Sequence, residues 1–369
     1  MYRKRCLINR TLLLSLLIIV IISCLFVLNT CLNSSDHYTF RDFEKVSKTD
    51  VHLHINSLDP VYMELASRYN FRIVSPNVDS RIPIDEQLQK ASTIKKAWPD
   101  RFAFFGTFSV DSFSVENFAD NTIARIKKCM EEGASGIKIW KNIGMVLKDK
   151  DGHYVMIDDQ AFYLIFKYLE EKNIPVMGHL GEPKNCWLPL AEMTDTSNYR
   201  YYKANPQYHM YLHPEAPSYE DQINARDNLL YKHPGLDFTG AHFASLEWSV
   251  DEIAKRFDLF PELKVDMSAR MAHLQLQSIN DYNKVRKFLI KYQDRILYGT
   301  DITINPDEAN SEGKIQQLID RWRSNWIYLA TDSTMNIKNL PAEVKGLHLP
   351  RKVVDKIYNK NAEKFFIQF

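Results

Sequence analysis

The sequence predicts an α/β chain folded as a (β/α)8 TIM barrel. Eight short β-rich runs alternate with helical stretches, and several of those runs end on a histidine or aspartate. Alternation of this kind argues for parallel βα units. Doubly wound sheets alternate in the same way, and the count of eight favours the closed barrel.

At the N-terminus, Arg3, Lys4, Arg5 and Arg10 flank an uncharged run over residues 11–28. Such a basic-then-apolar pattern directs export. Ile21-Ile22-Ser23-Cys24 resembles a lipobox, in which cleavage leaves a lipid on the cysteine, here Cys24. The alternative is an uncleaved signal anchor, because about 18 apolar residues are enough to span a bilayer. Both routes attach the chain to a membrane and place the residues after 31 outside the cytoplasm, since the basic flank stays inside. Residues 1–31 are thus expected as the targeting segment, 32–48 as a polar tether, and 49–369 as the folded domain.

The strand candidates are residues 50–55, 71–75, 102–107, 136–140, 174–180, 236–242, 263–268 and 295–301. Ser114-Val115-Glu116-Asn117 opens a helix that ends at Glu132-Gly133, with Gly133 just past its end, and residues 251–257 have helical spacing. One interval breaks the rhythm. About 55 residues separate strands five and six, far more than ordinary βα loops need. The excess, residues 181–218, carries Trp187, Tyr199, Tyr201, Tyr202, Tyr208 and Tyr211. An aromatic-rich insertion at the C-terminal end of a barrel strand reads as a lid over the site or as a subdomain packed on the rim.

Composition narrows the function. With 45% hydrophobic and 25% charged residues the 369-residue chain is that of a globular protein with a sizeable core. Its 47 basic and 46 acidic side chains give a net charge of +1, and no basic block follows residue 11. Nucleic acid is therefore not an expected partner. Cys6, Cys24, Cys31, Cys129 and Cys186 are scattered and include no CxxC, so neither a disulfide framework nor a sulfur-ligated metal is expected.

The chemistry lies at the strand ends. His52, His54, His179, His242 and Asp301 each fall near the C-terminal end of a predicted strand, drawn from about 250 residues of sequence. Active sites of this fold sit at that end. Strand side chains alternate, so Asp50, His52 and His54 are expected on the barrel axis, and Val51, Leu53 and Ile55 towards the helices. Met177 and His179 follow the same rule, as does Lys138. Any one of these residues alone could be a hydrogen-bonded strand end. Four strands ending this way together read as a divalent metal site, hence a metal-dependent hydrolase acting on a small molecule.

Several segments resemble the amidohydrolase superfamily, in its amidohydrolase-related branch of TIM-barrel metal-dependent hydrolases. They are Asp50-Val51-His52-Leu53-His54, Gly136-Ile137-Lys138-Ile139-Trp140-Lys141, Gly178-His179-Leu180-Gly181-Glu182-Pro183, Gly240-Ala241-His242-Phe243 and Tyr298-Gly299-Thr300-Asp301. A helix after Leu349 that contains Ala362 resembles the family's closing helix. The resemblance implies His52, His54 and His179 as metal ligands, with Asp301 as ligand and general base. His242 becomes a second-metal ligand in binuclear members, or an electrophile facing the substrate in mononuclear ones. Lys138 stands where some members carry a carboxylated lysine; one metal is common in this branch, which makes Lys138 a substrate or structural lysine. Three imidazoles and one carboxylate with an open position suit Zn2+ best, with Fe2+ and Mn2+ as alternatives.

Other residues support lesser roles. Glu182 either contacts the reacting water or caps the next segment. Arg270, just past strand seven, suits a substrate carboxylate or an ion pair at the rim. Arg226 reads as a solvated helix face, and His209, His213 and His273 as surface or lid histidines. Hydrolysis of an amide, ester or lactone is the first expectation, with Asp301 moving the proton and His242 stabilising the oxyanion. Non-oxidative decarboxylation is the alternative within the same superfamily. A binding scaffold that lacks activity predicts a missing ligand, and none is missing.

Overall fold

The computed structural model describes residues 36–308 and 311–366. At its centre is one eight-stranded parallel sheet in sequential order. Its strands are β1 (Lys48–Asp50), β2 (Phe71–Pro76), β3 (Phe102–Gly106), β4 (Gly136–Ile139), β5 (Val176–Gly178), β6 (Phe238–Gly240), β7 (Leu263–Asp266) and β8 (Ile296–Leu297). Helices connect them in turn: Val61–Arg68, Ile84–Ala97, Phe118–Glu131, Tyr163–Glu171, Tyr219–Lys232, Val250–Leu259 and Tyr282–Lys291. Glu312–Ala330 follows β8. The sheet curls until its edges meet. Val51 N donates to Tyr298 O at 3.0 Å, His54 N to Ile302 O at 2.9 Å, and His54–Ile55 pairs in parallel with Thr303–Ile304. The architecture is consistent with the expected barrel.

Strands buried on both faces need apolar residues at every position, and β3 shows how this works. Phe102 and Phe104 join the large cluster under the helices, while Ala103 and Phe105 join a second cluster with Val51, Val74, Met177 and Leu297. That inner cluster is closed by the C-terminal helix Asn361–Phe366, whose Phe366 ring meets Phe105 edge-on at 5.0 Å.

Three features depart from the simple reading. The alternation rule puts Asp50 on the axis and Val51 towards the helices, and the structure reverses both. The β1 ladder stops at Asp50, whose carboxylate accepts from His52 N (3.2 Å), Thr300 N (3.0 Å), Thr300 Oγ1 (2.7 Å) and Trp322 Nε1 (3.0 Å). A buried carboxylate needs such donors, and Trp322 lies on the helix side, so Val51 takes the inner position. The helix expected from Ser114 begins at Phe118, after Asn117 adopts a left-handed conformation with φ 67°. It ends as expected, with Gly133 at φ 94°. The third departure lies in the stretch read as a tether. There residues 36–47 lie against the domain, with Phe43 buried, Trp326 Nε1 donating to Thr39 O (3.0 Å) and Tyr38 to Asp355 (2.7 Å).

The basic-then-apolar run of residues 1–31, with Cys24, lies outside the described residues. Among the described residues no helix is long and apolar enough to cross a membrane. Residues 181–218 fold as short helical turns around the helix Thr196–Ala204, and Trp187 Nε1 donates to Pro217 O at 3.1 Å.

Candidate active site and metal centre

The ends of β1, β5, β6 and β8 bring their polar residues to one place. Asp301 Oδ1 lies 3.4 Å from His52 Nε2 and 3.3 Å from His54 Nε2, and Asp301 Oδ2 lies 3.9 Å from His242 Nε2. His52, His54 and Asp301 form one group whose ligand atoms fall within 4.8 Å of one another. His179 stands beside them rather than in that group, its ring 4.2 Å from that of His242. Lys138 is fully buried, and its Nζ lies 3.3 Å from His52 Nε2, among the ligand atoms. Burial pushes its pKa down to about 8.

Hydrogen bonds settle which imidazole nitrogen is free. His52 Nδ1 faces Asp266 Oδ2 at 2.9 Å, His54 Nδ1 faces Pro76 O at 2.8 Å, and His242 Nδ1 faces Ser268 O at 3.0 Å. Those oxygens only accept, so each Nδ1 carries the proton and each Nε2 presents a lone pair. This is the outer-shell arrangement that orients metal-binding histidines. It also bears on His242. Burial holds its pKa down to about 3, with Arg270 and His52 adding to the effect against Asp301, so Nε2 is an acceptor and lacks the proton that an oxyanion donor needs.

The backbone is strained where it presents these groups. His242, Phe243, Ala244 and Ser245 are consecutive non-glycine residues with φ between 55° and 59°, and Asp301 has φ 61°. Left-handed residues cost roughly 1–2 kcal/mol each. Around the turn, Arg226 donates to Ala244 O and Tyr219 to Ser245 O (2.5 Å), while Ser245 Oγ donates to Leu180 O (3.1 Å). Gly299 permits the close approach of β8, for a Cβ there would lie 3.0 Å from His52 Cβ and 3.2 Å from Ser268 Cβ.

The amidohydrolase family model matches residues 85–367. The chain belongs to the amidohydrolase family. Among solved structures, 2,6-dihydroxybenzoate decarboxylase from Rhizobium is similar in fold, with TM-score 0.51 and 16% identity over 87% of this chain and 98% of that one. The 5-carboxyvanillate decarboxylase of Sphingomonas paucimobilis follows at TM-score 0.42 and 12% identity, covering 88% and 99%. The 4-oxalomesaconate hydratase of Rhodopseudomonas palustris has TM-score 0.41 and 13% identity, covering 80% and 76%. No curated protein matches the chain in sequence.

The residues of this amidohydrolase fit a divalent metal. His179 Nε2 and His242 Nε2 are buried with no hydrogen-bond partner, a condition that costs about 1–3 kcal/mol per group unless something binds there. A second cluster, His52, His242 and Asp266, also has ligand spacing. Its atoms are already joined through protons: Asp266 Oδ1 accepts from His242 N (2.9 Å), Ser268 N (3.0 Å) and Ser268 Oγ. Asp266 is therefore placed to orient the His52 ring rather than to offer its own oxygens to an ion.

Glu182 and Arg270 are brought to the rim of the cluster, with Glu182 Oε2 3.9 Å from both His179 Nε2 and Arg270 Nη2. Arg226 is not solvated but 1% exposed, committed to Ala244 and Asp227. His273 and His209 are likewise buried, His273 Nε2 lying 3.5 Å from Asp195 and His209 bonding Leu188 O at 2.8 Å. Sequence reasoning passed over Asp266 and Ser268. The signal was the polar alternation of Lys264 and Asp266 in β7 with Ser268 just past its end.

Beside Asp301 opens a cavity of about 540 Å3. Asp195, Ser197 and Asn198 of the aromatic-rich segment form one wall, and Lys314 and Arg321 of the helix after β8 form another.

Proposed function

We propose that this amidohydrolase is a metal-dependent enzyme that hydrolyses an amide, ester or lactone bond of a small molecule. The observation that carries the reading is the convergence of imidazole Nε2 atoms on Asp301, with those of His179 and His242 buried and unpartnered. His52, His54, His179 and Asp301 would hold one ion, with Zn2+ the best fit to nitrogen-rich donors and Mn2+ or Fe2+ the alternatives. When bound, a divalent ion supplies Lewis acidity, which acidifies water and polarises a carbonyl. Asp301 then takes the proton of the attacking water and returns it to the leaving group. Its side chain, 29% exposed, faces the cavity where a substrate can reach it. His242 Nε2 offers a further acceptor, to a proton or to the ion.

Non-oxidative decarboxylation is the second reading, supported by the fold shared with the Rhizobium decarboxylase and by a buried cation, Arg270, at the rim. One experiment separates them. Metal-loaded protein is offered lactones, amides and aromatic carboxylates in H2 18O. Hydrolysis places 18O in the product, whereas decarboxylation releases CO2 and leaves solvent hydrogen on carbon. Turnover that needs no metal would reject both.

Export and membrane attachment through residues 1–31 complete the proposal. Labelling with a lipid precursor that is lost in Cys24→Ala supports the lipoprotein route, and label absent from the membrane-bound wild type supports the signal anchor. Recovery of the protein from the cytoplasm rejects both.

A further inference from the structure

Arg270 is 9% exposed, yet its guanidinium is barely used. Nε is buried with no hydrogen-bond partner. Nη1 reaches only Ala269 O at 3.3 Å, and Nη2 stops 3.9 Å short of Glu182 Oε2, beyond hydrogen-bond range. Glu182 is committed elsewhere, since it accepts from Lys141. Two cations thus face one carboxylate, and these three groups together carry a net positive charge. Leaving buried guanidinium N–H groups unmade is costly, so the arrangement is complete only when an acceptor arrives. The acceptor that fits a planar fork is a carboxylate.

We propose that Arg270, assisted by Lys141, binds a carboxylate of the substrate, so that the natural substrate is a small organic acid. His179 Nε2 lies 3.9 Å from the same Glu182 oxygen that faces Arg270. A carboxylate held by Arg270 therefore seats the rest of the molecule against His179 and His242. Glu182 holds Lys141 beside the fork and repels a carboxylate placed on its own side of it. A neutral amide of the same shape is rejected, because it leaves the guanidinium unpaired. The assignment deepens the metal-dependent reading by naming the substrate class, and it rests on that reading only for the reacting end.

The test is calorimetry on the full-length protein, both metal-loaded and chelator-treated, with metal content measured on every sample. Acetate, malonate and benzoate are each compared with acetamide, malonamide and benzamide. At least one acid should bind wild type tenfold or more tighter than its amide. In chelator-treated protein, where no ion can capture the acid, Arg270→Met should erase that margin, and Arg270→Lys should keep part of it. A thermal melt matching wild type shows that each variant is folded, and Arg270→Gln replaces Arg270→Met if the latter does not fold. Equal binding of every acid and its amide overturns the proposal, as does an unchanged margin in Arg270→Met or no acid binding at all. Acid selection through Arg270 in a protein that takes up no metal would overturn the metal reading and leave this one standing. Stoichiometric metal with no dependence on Arg270 does the reverse.

Discussion

Asp301 meets three imidazole nitrogens within 3.9 Å and faces the cavity besides. Its backbone is left-handed, a conformation that aspartate and asparagine both tolerate. Asp301→Asn therefore changes charge without adding strain. It should retain most of the bound metal and lose roughly 10²–10⁴-fold in turnover, the usual cost of a lost general base. Activity within about threefold of wild type would remove Asp301 from the chemistry. Asp266 makes a complementary case, because it touches only His52, His242 and Ser268. Asp266→Asn should weaken metal affinity by about 10–100-fold, as outer-shell changes do, and a competition titration with a chromophoric chelator reads this directly. The five strand-end residues are legible because each closes an apolar run. Asp266 is less so: the polar alternation around it is local, but the partner that gives it its role, His52, lies 214 residues away in the chain.

Among the elements, the turn after β6 is the most strained. Four left-handed residues in succession present His242, and Ala244 is pressed so close to Gly240 that a Cβ on Gly240 would lie 2.3 Å from its own. Glycine is at ease at φ > 0, whereas a β-branched residue is not. Ala244→Gly should hold or raise the unfolding free energy within about 1 kcal/mol, while Ala244→Val should lower it by about 2–3 kcal/mol. Equal stability of the two in urea titrations would show that the turn is not strained. Sequence pattern anticipated the helix end at Gly133. It could not anticipate this turn, because neither Phe243 nor Ala244 is a residue that ordinarily signals a left-handed backbone. The burial of Arg226 was hidden for the same reason, since the carbonyl it serves exists only once the turn has formed.

At the scale of the whole molecule, the end of the barrel opposite the site is organised around Lys48. Its ammonium lies 4.8 Å from the Phe71 ring and 5.0 Å from the Phe43 ring, and it donates to Val46 O at 2.5 Å. Burial pushes its pKa down to about 7, against about 10.4 in an unfolded chain. Between those values the unfolded state binds the extra proton, so stability rises with pH across that window and the burial penalty applies in full below it. The urea midpoint of wild type should therefore gain on that of Lys48→Met between pH 7 and 9. Parallel midpoints would contradict the assignment. The βα order was readable because it repeats; the outward turn of Asp50 was not, because Trp322, which receives it, lies 272 residues away. All of this architecture serves one claim, that the strand ends hold a divalent ion. Elemental analysis after reconstitution with zinc or manganese tests it most directly. The account predicts one ion per chain (the stoichiometry of a single four-ligand site), lost in His54→Ala and in His179→Ala. Wild-type protein that holds no stoichiometric metal would contradict it.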